Sequence, residues 1–478
     1  MGRTAGPKLL LGALAAVLGC GAPSEPGVAN PRIDFVDGAI EPVLVRGDSV
    51  AIAGFGFGSA PGTLRFGRVG GGTQTVTPDS AAWTDQVVRA VVPDSAVSGT
   101  LTLTTAGNRS LTATVHVLPN ATFDPAALAW QSRTAFPTAP VGVALTAATF
   151  PSGSGVSVSL YAAGGAEPLG GDSAFVPDSG VYVAHAAPGG VIGGWTRSID
   201  FPAARAFAAV VVATRYNSRF AGTRVYVIGG IDATGRAQAT VFSAKADANG
   251  VDSTFTPIEP LPAPIAGALA VVRRGRIYVM GGADTLGHPQ RAVYVGRIGL
   301  DGHIDGWYQE PVLPAPRAYG GAVVRDGRVY AFGGVADSAP PGAGLDATPT
   351  RLATADTAAL SVASGFFTGV WSGAGAFLPE GRSQFATLDL GNVVLAVGGY
   401  YPSVTGTPTE LLAAGAGTDT VGAFAAATAT NTIAGQGGGT LVGPTGVAWR
   451  DADGTPHGLV LGGFDLATRL RRASAWGF

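Results

Sequence analysis

The chain has 478 residues, of which 46% are hydrophobic and only 13% are charged, and its formal net charge is −2. This apolar content excludes intrinsic disorder, and the near-neutral charge excludes a basic surface for nucleic acid. The 74 glycines and 33 prolines indicate many tight turns, while the lack of a three-residue glycine period excludes collagen.

The N-terminal segment is typical of an exported protein. Arg3 and Lys8 precede an apolar run over residues 9–18, which is too short to cross a bilayer as a helix of the mature chain. Such a run matches the hydrophobic region of a secretory signal, although a short buried helix would show the same pattern.

The end of this run, VLGC (17–20), resembles the lipobox of bacterial lipoproteins, and Cys20 is the only cysteine of the chain. The resemblance implies that residues 1–20 are a lipoprotein signal peptide, that Cys20 is lipidated and that residues 21–31 are a tether. An ordinary signal peptide with an incidental cysteine is the alternative. Because Gly21 stands where an aspartate would retain a lipoprotein in the inner membrane, we expect a lipid-anchored protein of the bacterial cell envelope, at the outer membrane or cell surface.

Residues 32–118 predict a small β-sandwich, because apolar pairs such as Val43 and Val45 alternate with other residues between glycine-containing turns. Three segments resemble an IPT/TIG immunoglobulin-like domain: RGDSVAIAGFGFG (46–58), GTLRFG (62–67) and AWTDQVVRAVVPDSAVSGTLTLTT (82–105). The resemblance implies a seven-stranded sandwich that acts as a spacer or a binding module, without catalysis.

An internal repeat fills the rest of the chain. A strand-like segment that ends in two glycines recurs at 164–165, 229–230, 281–282, 333–334, 398–399 and 462–463. One aromatic residue precedes each pair: Trp130, Trp195, Phe255, Trp307, Trp371 and Phe424. An apolar–proline pair follows the first five aromatic residues, and an arginine stands three residues after the proline in three repeats, as Arg205, Arg317 and Arg382.

This pattern resembles the kelch repeat, in which an aromatic residue, a Leu-Pro-x-x-Arg segment and a strand ending Tyr-x-x-Gly-Gly recur. The resemblance implies a six-bladed β-propeller with four strands per blade over residues 126–478. A blade has two apolar faces, and stacking blades around a circle buries both of them. The predicted fold class is therefore all-β, with an N-terminal immunoglobulin-like (IPT/TIG) sandwich followed by a six-bladed kelch-type β-propeller.

The two ends of the repeat region predict how the ring closes. After Gly463 only 15 residues remain, so segment 471–478 fits a third strand and leaves the sixth blade without a fourth. Segment 127–131, which contains Trp130, is a fourth strand without a blade. We therefore expect 127–131 to complete the sixth blade. In the alternative arrangement, Trp476 lies in a compressed fourth strand and 127–131 is a linker.

The residue types offer no metal or cofactor site. A copper radical oxidase of the kelch type would need a tyrosine cross-linked to a cysteine and two histidine ligands, but the only cysteine is Cys20. The histidines are scattered without the spacing of metal ligands, as His116, His185, His288, His303 and His457. We expect no cofactor and no metal.

Carboxylates near the strand ends are the candidates for catalysis. An enzyme similar to the kelch sugar epimerases or mutarotases would need a general acid and a general base. Five carboxylates lie shortly after a diglycine: Glu167, Asp232, Asp284, Asp337 and Asp465. Turn chemistry explains this recurrence as well, because aspartate after glycine is a common loop residue. Asp451 and Asp453 likewise fit a hairpin turn better than a calcium loop.

A binding surface is the predicted function. Long loops over 166–179, 335–350 and 400–409 extend from one face of the predicted propeller, where insertions commonly form a binding rim. A candidate basic-aromatic pocket combines three arginines with three aromatic residues: Arg205, Arg317, Arg382, Phe207, Tyr319 and Phe385. Alternatively, these arginines tie adjacent blades together through backbone carbonyls.

We therefore expect a non-catalytic cell-envelope lipoprotein that recognises a protein or glycan ligand through the loop face of the propeller. It would contact the membrane only through the lipid anchor, and it would not bind nucleic acid. A carbohydrate-active enzyme of the kelch sugar epimerase or mutarotase type is the alternative.

Overall fold

The computed structural model describes residues 30–39, 42–153, 155–168, 175–213, 222–299, 301–337, 349–361, 364–400, 411–417, 419–433, 441–465 and 470–478. This part of the chain is all-β, which confirms the predicted fold class at that level. Its helices are two single 3₁₀ turns, Ser80–Ala82 and Pro125–Ala127. No helix among these residues is long and apolar enough to span a membrane. Cys20 and the predicted signal peptide lie outside the described residues.

The N-terminal part is a β-sandwich of eight strands. In chain order, β1 to β8 are Arg32–Val36, Val43–Val45, Ser49–Phe55, Thr63–Arg68, Thr73–Val76, Val87–Val91, Ala96–Thr104 and Ser110–Leu118. One sheet has the order β1-β3-β6, and the other has the order β2-β8-β7-β4-β5. The count exceeds the seven strands implied by the IPT/TIG resemblance, because the short β2 pairs in parallel with β8 at a sheet edge.

Alternation along these strands builds the core of the sandwich. In β4 and β7, apolar residues such as Leu64, Phe66 and Leu101 are buried while their neighbours in sequence are more exposed. They pack with Trp83 and Phe57 into one apolar cluster between the two sheets.

The remaining 31 strands follow in chain order. Strands β9 to β16 are Gln131–Arg133, Ala144–Ser152, Gly155–Ala163, Ala166–Pro168, Phe175–Pro177, Val181–Ala187, Val191–Ile192 and Thr196–Arg197. Strands β17 to β25 are Ala209–Ala213, Thr223–Ile228, Val241–Asp247, Gly250–Val251, Thr256–Ile258, Leu269–Arg273, Arg276–Met280, Val293–Ile298 and Ile304–Gln309. Strands β26 to β33 are Gly321–Val324, Arg328–Phe332, Thr354–Ala359, Ser372–Ala376, Ala386–Asp389, Val393–Val397, Leu411–Gly415 and Ala425–Ala426. Strands β34 to β39 are Leu441–Val442, Thr445–Arg450, Pro456–Leu461, Phe464–Asp465, Leu470–Arg471 and Ala475–Gly477.

Most of these strands form six antiparallel sheets, which we number in chain order. Sheets 1 and 2 have the orders β10-β11-β14 and β17-β18-β19, and in each the third strand pairs with two further short strands. Sheets 3, 4 and 5 have the orders β22-β23-β24-β25, β26-β27-β28-β29 and β30-β31-β32-β33. Sheet 6 has the order β35-β36-β39-β9. Two smaller sheets, β12-β13 and β34-β37-β38, accompany them.

The six sheets contact one another in a closed cycle. The first strand of each sheet contacts the first strand of the next, from β10 through β17, β22, β26 and β30 to β35, and β35 contacts β10 again. An apolar cluster fills each of the six interfaces between neighbouring sheets. Both faces of every sheet are thereby buried, although no single sheet among the described strands closes on itself.

Sheet 6 combines strands from both ends of the repeat region. Strand β39 pairs with β36 on one side and with β9 on the other, with Trp476 opposite Ser132. The strand expected over 127–131 begins only at Gln131, so its predicted bounds are wrong. The physical reason is local: the Asp124 carboxylate accepts a hydrogen bond from the Ala126 N–H and caps the 3₁₀ turn that occupies residues 125–127.

The six diglycines all adopt left-handed backbone angles, with φ from 60° to 99°. In the first five, the N–H of the second glycine donates to a carbonyl oxygen just before the next sheet, at 2.7 to 2.9 Å. The acceptors are the carbonyl oxygens of Arg205, Ile265, Arg317, Arg382 and Leu441. A side chain at the first glycine would collide with the same carbonyl, which explains why the repeat needs glycine there.

Candidate functional site

Six residues with left-handed backbone angles surround one end of the axis of the ring. They are Gly142, Phe207, Gly267, Tyr319, Gln384 and Gly443, each directly ahead of the first strand of a sheet, with φ from 54° to 68°. Together with the first residues of those strands they line a depression of about 290 Å³. We call this set of six residues the mouth.

Backbone hydrogen bonds run around the mouth. The N–H of every member after Gly142 donates to the carbonyl of the member before it, at 2.8 to 2.9 Å. The first of these bonds runs from Phe207 to Gly142, and the last from Gly443 to Gln384. Five such bonds join the six members, and among the described residues no bond joins Gly142 to Gly443. These bonds hold the backbone of the mouth in place, so its side chains determine which groups it can contact.

Two aromatic side chains dominate the mouth. The rings of Phe207 and Tyr319 meet edge to face, with centroids 5.6 Å apart, and both residues are partly exposed. Each ring lies against a glycine of the mouth: a Cβ on Gly142 would meet the Phe207 ring, and a Cβ on Gly267 would collide with the Tyr319 ring. Burial raises the pKa of the Tyr319 hydroxyl, so the phenol is neutral.

Phe207, Tyr319 and Gln384 hold a conformation that side chains other than glycine rarely adopt. Such backbone strain costs on the order of 1–3 kcal/mol per residue and concentrates at functional sites. The aromatic residues at the mouth thus occupy positions where glycine, which three of the six repeats use, would fold with less strain.

The three predicted arginines do not lie at the mouth. Arg205, Arg317 and Arg382 are 5%, 0% and 0% exposed, and their guanidinium groups bond inside the protein. Arg317 donates to the Gly333 carbonyl and forms a 2.9 Å ion pair with Asp356. Burial lowers the pKa of the Arg317 guanidinium, and Asp356 opposes that shift.

The other two arginines are engaged in the same manner. Arg382 donates to the Gly398 carbonyl at 3.0 Å and to the Glu380 carboxylate at 2.9 Å. Arg205 donates to the Ala204 carbonyl at 2.8 Å, and its guanidinium carbon lies 5.6 Å from the centroid of the Phe242 ring. The arginines therefore act within the structure, where Arg317 and Arg382 donate to carbonyl oxygens of their own repeat rather than of an adjacent one.

Of the six predicted pocket residues, Phe207 and Tyr319 meet at the mouth, and Phe385 also lines the depression beside them. Phe385 is buried against Phe332 between sheets 4 and 5, with ring centroids 5.8 Å apart. Sequence reasoning missed Gln384 and the glycines of the mouth. A signal for them exists, because five of the six members stand five residues after the proline of the apolar–proline pair.

Two of the predicted carboxylates, Asp232 and Asp284, accept hydrogen bonds within turns. Asp232 accepts hydrogen bonds from the N–H groups of Thr234 and Arg236 and from the Gln238 amide. Asp284 repeats this arrangement with Leu286, His288 and Gln290, as the shared spacing D-x-x-G-x-x-Q allows.

The other predicted carboxylates have local partners too. Asp337 accepts from Thr350, and buried Asp465 pairs with Arg472. Asp451 and Asp453 lie in the turn between β35 and β36, where Asp453 accepts from the Thr455 N–H. The side chain of Glu167 and the loop segments 169–174, 338–348 and 401–410 lie outside the described residues. No two of these described carboxylates line the mouth.

The described histidines do not form a metal or hydrolase centre. No group of three or more His, Cys, Asp or Glu side chains in the described ranges could hold a metal ion. Ser159 and His185 are 3.1 Å apart, but the Ser159 hydroxyl is buried and donates to the Ala248 carbonyl at 3.0 Å. That hydroxyl is therefore not available as a nucleophile.

The opposite end of the ring is covered by the sandwich. Asp326, in the turn between β26 and β27, accepts from the Ser49 hydroxyl at 2.7 Å and pairs with Arg89 of the sandwich at 2.7 Å. Arg273 and Arg274 from the turn of sheet 3 contact the same carboxylate at 3.1 Å and 2.5 Å. Burial alone would raise the pKa of Asp326, but these three arginines and Ser49 hold it at about 2. Residues 31–478 consequently form one compact unit.

The comparisons with known proteins agree with the repeat pattern over part of the chain. No family model matches the sequence. Beta-scruin of Limulus polyphemus is 30% identical over 142 residues, and alpha-scruin of the same organism is 26% identical over 142 residues. Each match covers 29% of this chain but only 14% of the scruin. Scruin is a kelch-repeat protein, so the matches give weak support to kelch repeats in the part that they cover.

Proposed function

We propose that the protein is a non-catalytic binding protein of the bacterial cell envelope, in which residues 126–478 form a six-bladed kelch propeller that recognises a protein partner. Residues 32–118 would be an IPT/TIG domain that carries the propeller. The closed cycle of sheet contacts and the six intersheet clusters support the propeller. The similarity to scruin supports the assignment to a protein-interaction repeat.

The observation that carries the proposal is the strained aromatic pair at the mouth. Phe207 and Tyr319 stand at the end of the ring that the sandwich leaves uncovered, and both residues are partly exposed. Aromatic side chains at the centre of a surface commonly dominate binding energy, because they bury a large area at low entropic cost. Beside them, the Gln384 amide offers both a donor and an acceptor to a backbone or side-chain group of the partner.

Enzymatic turnover of a sugar at the mouth has less support. Acid–base catalysis there would need two titratable groups around one small pocket. The depression at the mouth is lined by glycine, apolar, aromatic, threonine and amide residues, and no carboxylate lines it among the described residues. This lining favours a recognition surface over a catalytic one.

A pull-down of envelope proteins tests the proposal. We expect the intact protein to retain a defined partner from detergent-solubilised envelopes of its own organism, and the double variant F207A/Y319A to lose at least about 90% of it, as expected for hot-spot residues. The matched control is Leu286→Ser, which alters a side chain 71% exposed near the same end of the ring but away from the mouth. Equal capture by the double variant and the wild-type protein would contradict recognition at the mouth.

The lipid anchor is a separate part of the proposal. The VLGC segment supports lipidation of Cys20, because the thiol of that residue is the acceptor in bacterial lipoproteins with this pattern. Cys20→Ser should move the protein from the membrane fraction to the soluble fraction of the envelope. Retention of the variant in the membrane fraction would exclude Cys20 as the anchor.

A further inference from the structure

The depression at the mouth has two chemically different halves. Sheets 1 to 3 line it with glycine, alanine, valine, leucine and one aromatic residue, Phe207, so this half has no polar side chain within the described part of the chain. Sheets 4 to 6 add four residues with polar side chains: Tyr319, Gln384, Thr387 and Thr445. Because sheets 1 to 3 follow one another around the ring, the apolar half and the polar half face each other across its axis.

Three of the polar side chains keep hydrogen-bonding groups for a ligand. The Tyr319 hydroxyl, the Gln384 amide and the Thr445 hydroxyl make no hydrogen bond with another described residue. All three residues are partly exposed, and their polar atoms keep accessible surface. The Thr387 hydroxyl, by contrast, is buried. The polar half therefore presents two hydroxyls and one amide, each of which can donate and accept.

The three groups lie at neighbouring positions around the axis. The Gln384 N–H donates to the Tyr319 carbonyl at 2.8 Å. The Gln384 side chain turns towards Gly443, where an added Cβ would lie 3.6 Å from its Oε1 atom. Thr445 follows Gly443 by two residues and begins β35. A ligand in the depression therefore has these three groups on one side and Phe207 on the other.

The lining of the depression carries no charge. Among the residues that the structure describes, no acidic or basic side chain lines it. A charged group of a partner would lose its hydration there without gaining a counter-charge, which is costly. An uncharged amide or hydroxyl would exchange its water for the groups of the polar half, while apolar atoms beside it pack against Phe207. The depression thus favours an uncharged polar group next to an apolar one.

The size of the depression restricts how a partner can enter it. Its volume is about 290 Å³, and the six members of the mouth surround it. Pockets for whole small molecules usually begin at roughly 300 Å³, so there is room for one side chain with part of its backbone. A protruding turn can place such a side chain on the axis, whereas a flat surface of the partner would stop at the rim.

We propose that the mouth recognises the tip of an uncharged turn of its protein partner, in which an amide or hydroxyl side chain faces Tyr319 and Gln384 and an apolar residue packs on Phe207. This inference rests on the proposed recognition of a protein partner at the mouth and adds the chemistry of the recognised segment. Tyr319, Gln384 and Thr445 then determine specificity, whereas Phe207 contributes buried area.

A loop library displayed on phage tests the inference, with the intact protein as bait. The library carries random loops on one fixed hairpin, and loops that the double variant F207A/Y319A also retains are removed. We expect the selected loops to be depleted in Asp, Glu, Lys and Arg relative to the starting library, and enriched in Asn, Gln, Ser, Thr or Tyr at the tip. Their affinity should change less than about twofold between about 0.05 and 0.5 M NaCl, because no charge pair forms.

Single variants, measured with one selected loop, separate the polar contacts. Tyr319→Phe and Thr445→Val each remove one hydroxyl and should weaken binding about 2–10-fold, the effect of a neutral hydrogen bond. Gln384→Glu keeps the shape but adds a charge, and should weaken binding by about tenfold or more. The matched control is Tyr308→Phe, which removes an exposed hydroxyl from the outer strand of sheet 3 and should leave the affinity unchanged.

The outcomes separate this inference from the proposed function. Loops that bind the double variant as tightly as the wild-type protein would contradict recognition at the mouth itself. If the double variant has a lowered thermal midpoint, Tyr319→Phe decides in its place. Loops that depend on the mouth but carry a charged tip, or that bind all three polar variants unchanged, would overturn only the chemistry proposed for the turn. A library that yields no binder would overturn it too, while the pull-down of envelope proteins still tests the proposed function.

Discussion

The interface between sheets 6 and 1 differs from the five other interfaces of the ring. In those five, the second glycine of a diglycine donates to a carbonyl of the next repeat, and the mouth adds a second backbone hydrogen bond. Between sheets 6 and 1, neither Gly463 to Pro140 nor Gly142 to Gly443 makes the corresponding bond within the described residues. This interface joins the two ends of the repeat region, whereas the others join consecutive repeats.

Other contacts take over at the sixth interface. The Asp451 carboxylate of sheet 6 accepts from the Gly189 N–H of sheet 1 at 2.7 Å and from His457 at 2.9 Å, and the other ring nitrogen of His457 lies 2.9 Å from the Phe478 carbonyl oxygen. Strand β9 completes sheet 6 from the other end of the repeat region. The ring is therefore closed by strand pairing within sheet 6 and by side chains, while the repeats are joined to one another by backbone bonds.

The largest loss of stability is expected from a change directly ahead of β9, the closing strand, which completes sheet 6. Trp130 is 1% exposed and packs with Trp476 and Phe478 between sheets 5 and 6. Trp130→Ala should lower the free energy of unfolding by about 3–5 kcal/mol, the usual cost of removing a large buried aromatic side chain. Chemical denaturation measures the loss, and hydrogen exchange should accelerate first in β39 and β36.

The matched control for that change lies in an interface between consecutive repeats. Phe255 occupies the equivalent position ahead of β21 and is also 1% exposed. Phe255→Ala should cost a similar free energy but should leave the exchange of β39 protected. Uniform acceleration in both variants would show that the closing strand has no special role in holding sheet 6 together.

An intermediate effect should separate the two kinds of interface directly. Gly281 and Gly462 are the first glycines of two diglycines, with φ of 60° and 66°. Alanine at either position lowers the free energy of unfolding by about 1–2 kcal/mol, because it disfavours the left-handed backbone angle. At Gly281 the added Cβ also collides with the Arg317 carbonyl, whereas at Gly462 its nearest neighbour, the Pro140 carbonyl, is 3.4 Å away.

We therefore expect Gly281→Ala to destabilise the protein by about 1–3 kcal/mol more than Gly462→Ala, because overpacking against backbone adds to the strain. Paired urea titrations of the two variants measure this difference. Equal losses would mean that the interface between sheets 6 and 1 is packed as closely around its diglycine as the interface between sheets 3 and 4.

The repeats were predictable because their spacing reflects backbone requirements. The diglycine must adopt left-handed angles and leave room for a nearby carbonyl, so glycine recurs at these positions of the sequence. The apolar–proline pair ahead of five of the first strands recurs in the same way. The order of β39 and β9 in sheet 6 follows the expectation from the surplus segment around Trp130, although its bounds shift to Gln131–Arg133.

The candidate site was predictable only in part, because the sequence gives the position of a residue and not the direction of its side chain. Arg317 and Phe207 stand at nearby points of their repeats, yet Arg317 turns inward to Asp356 while Phe207 reaches the mouth. The contact between the sandwich and the ring carries no local signal at all. It forms where Ser49 and Arg89 of the sandwich meet Asp326, which lies in a turn far away in the chain.

The smallest loss of stability is expected from removing a tyrosine hydroxyl that forms a hydrogen bond across four of the six interfaces. The hydroxyls of Tyr161, Tyr226, Tyr278 and Tyr330 donate to a carbonyl in a turn of the next sheet, at 2.6 to 3.0 Å, whereas the fifth and sixth repeats have Leu395 and Leu459. Tyr278→Phe should cost about 1 kcal/mol, the net contribution of one hydrogen bond. Leu395→Ile, a change without a hydroxyl in the corresponding strand, is the control for repacking.

Tyr278 also predicts how the stability of the fold depends on pH. Burial raises the pKa of the Tyr278 hydroxyl from its usual value near 10 to about 12, because the folded protein disfavours the phenolate. The stability linked to Tyr278 is therefore fully present below pH 10 and is lost as the pH rises towards 12. Denaturation midpoints measured from pH 8 to 12 should fall less steeply in Tyr278→Phe than in the wild-type protein, and parallel curves would show that this hydroxyl does not contribute to alkaline unfolding.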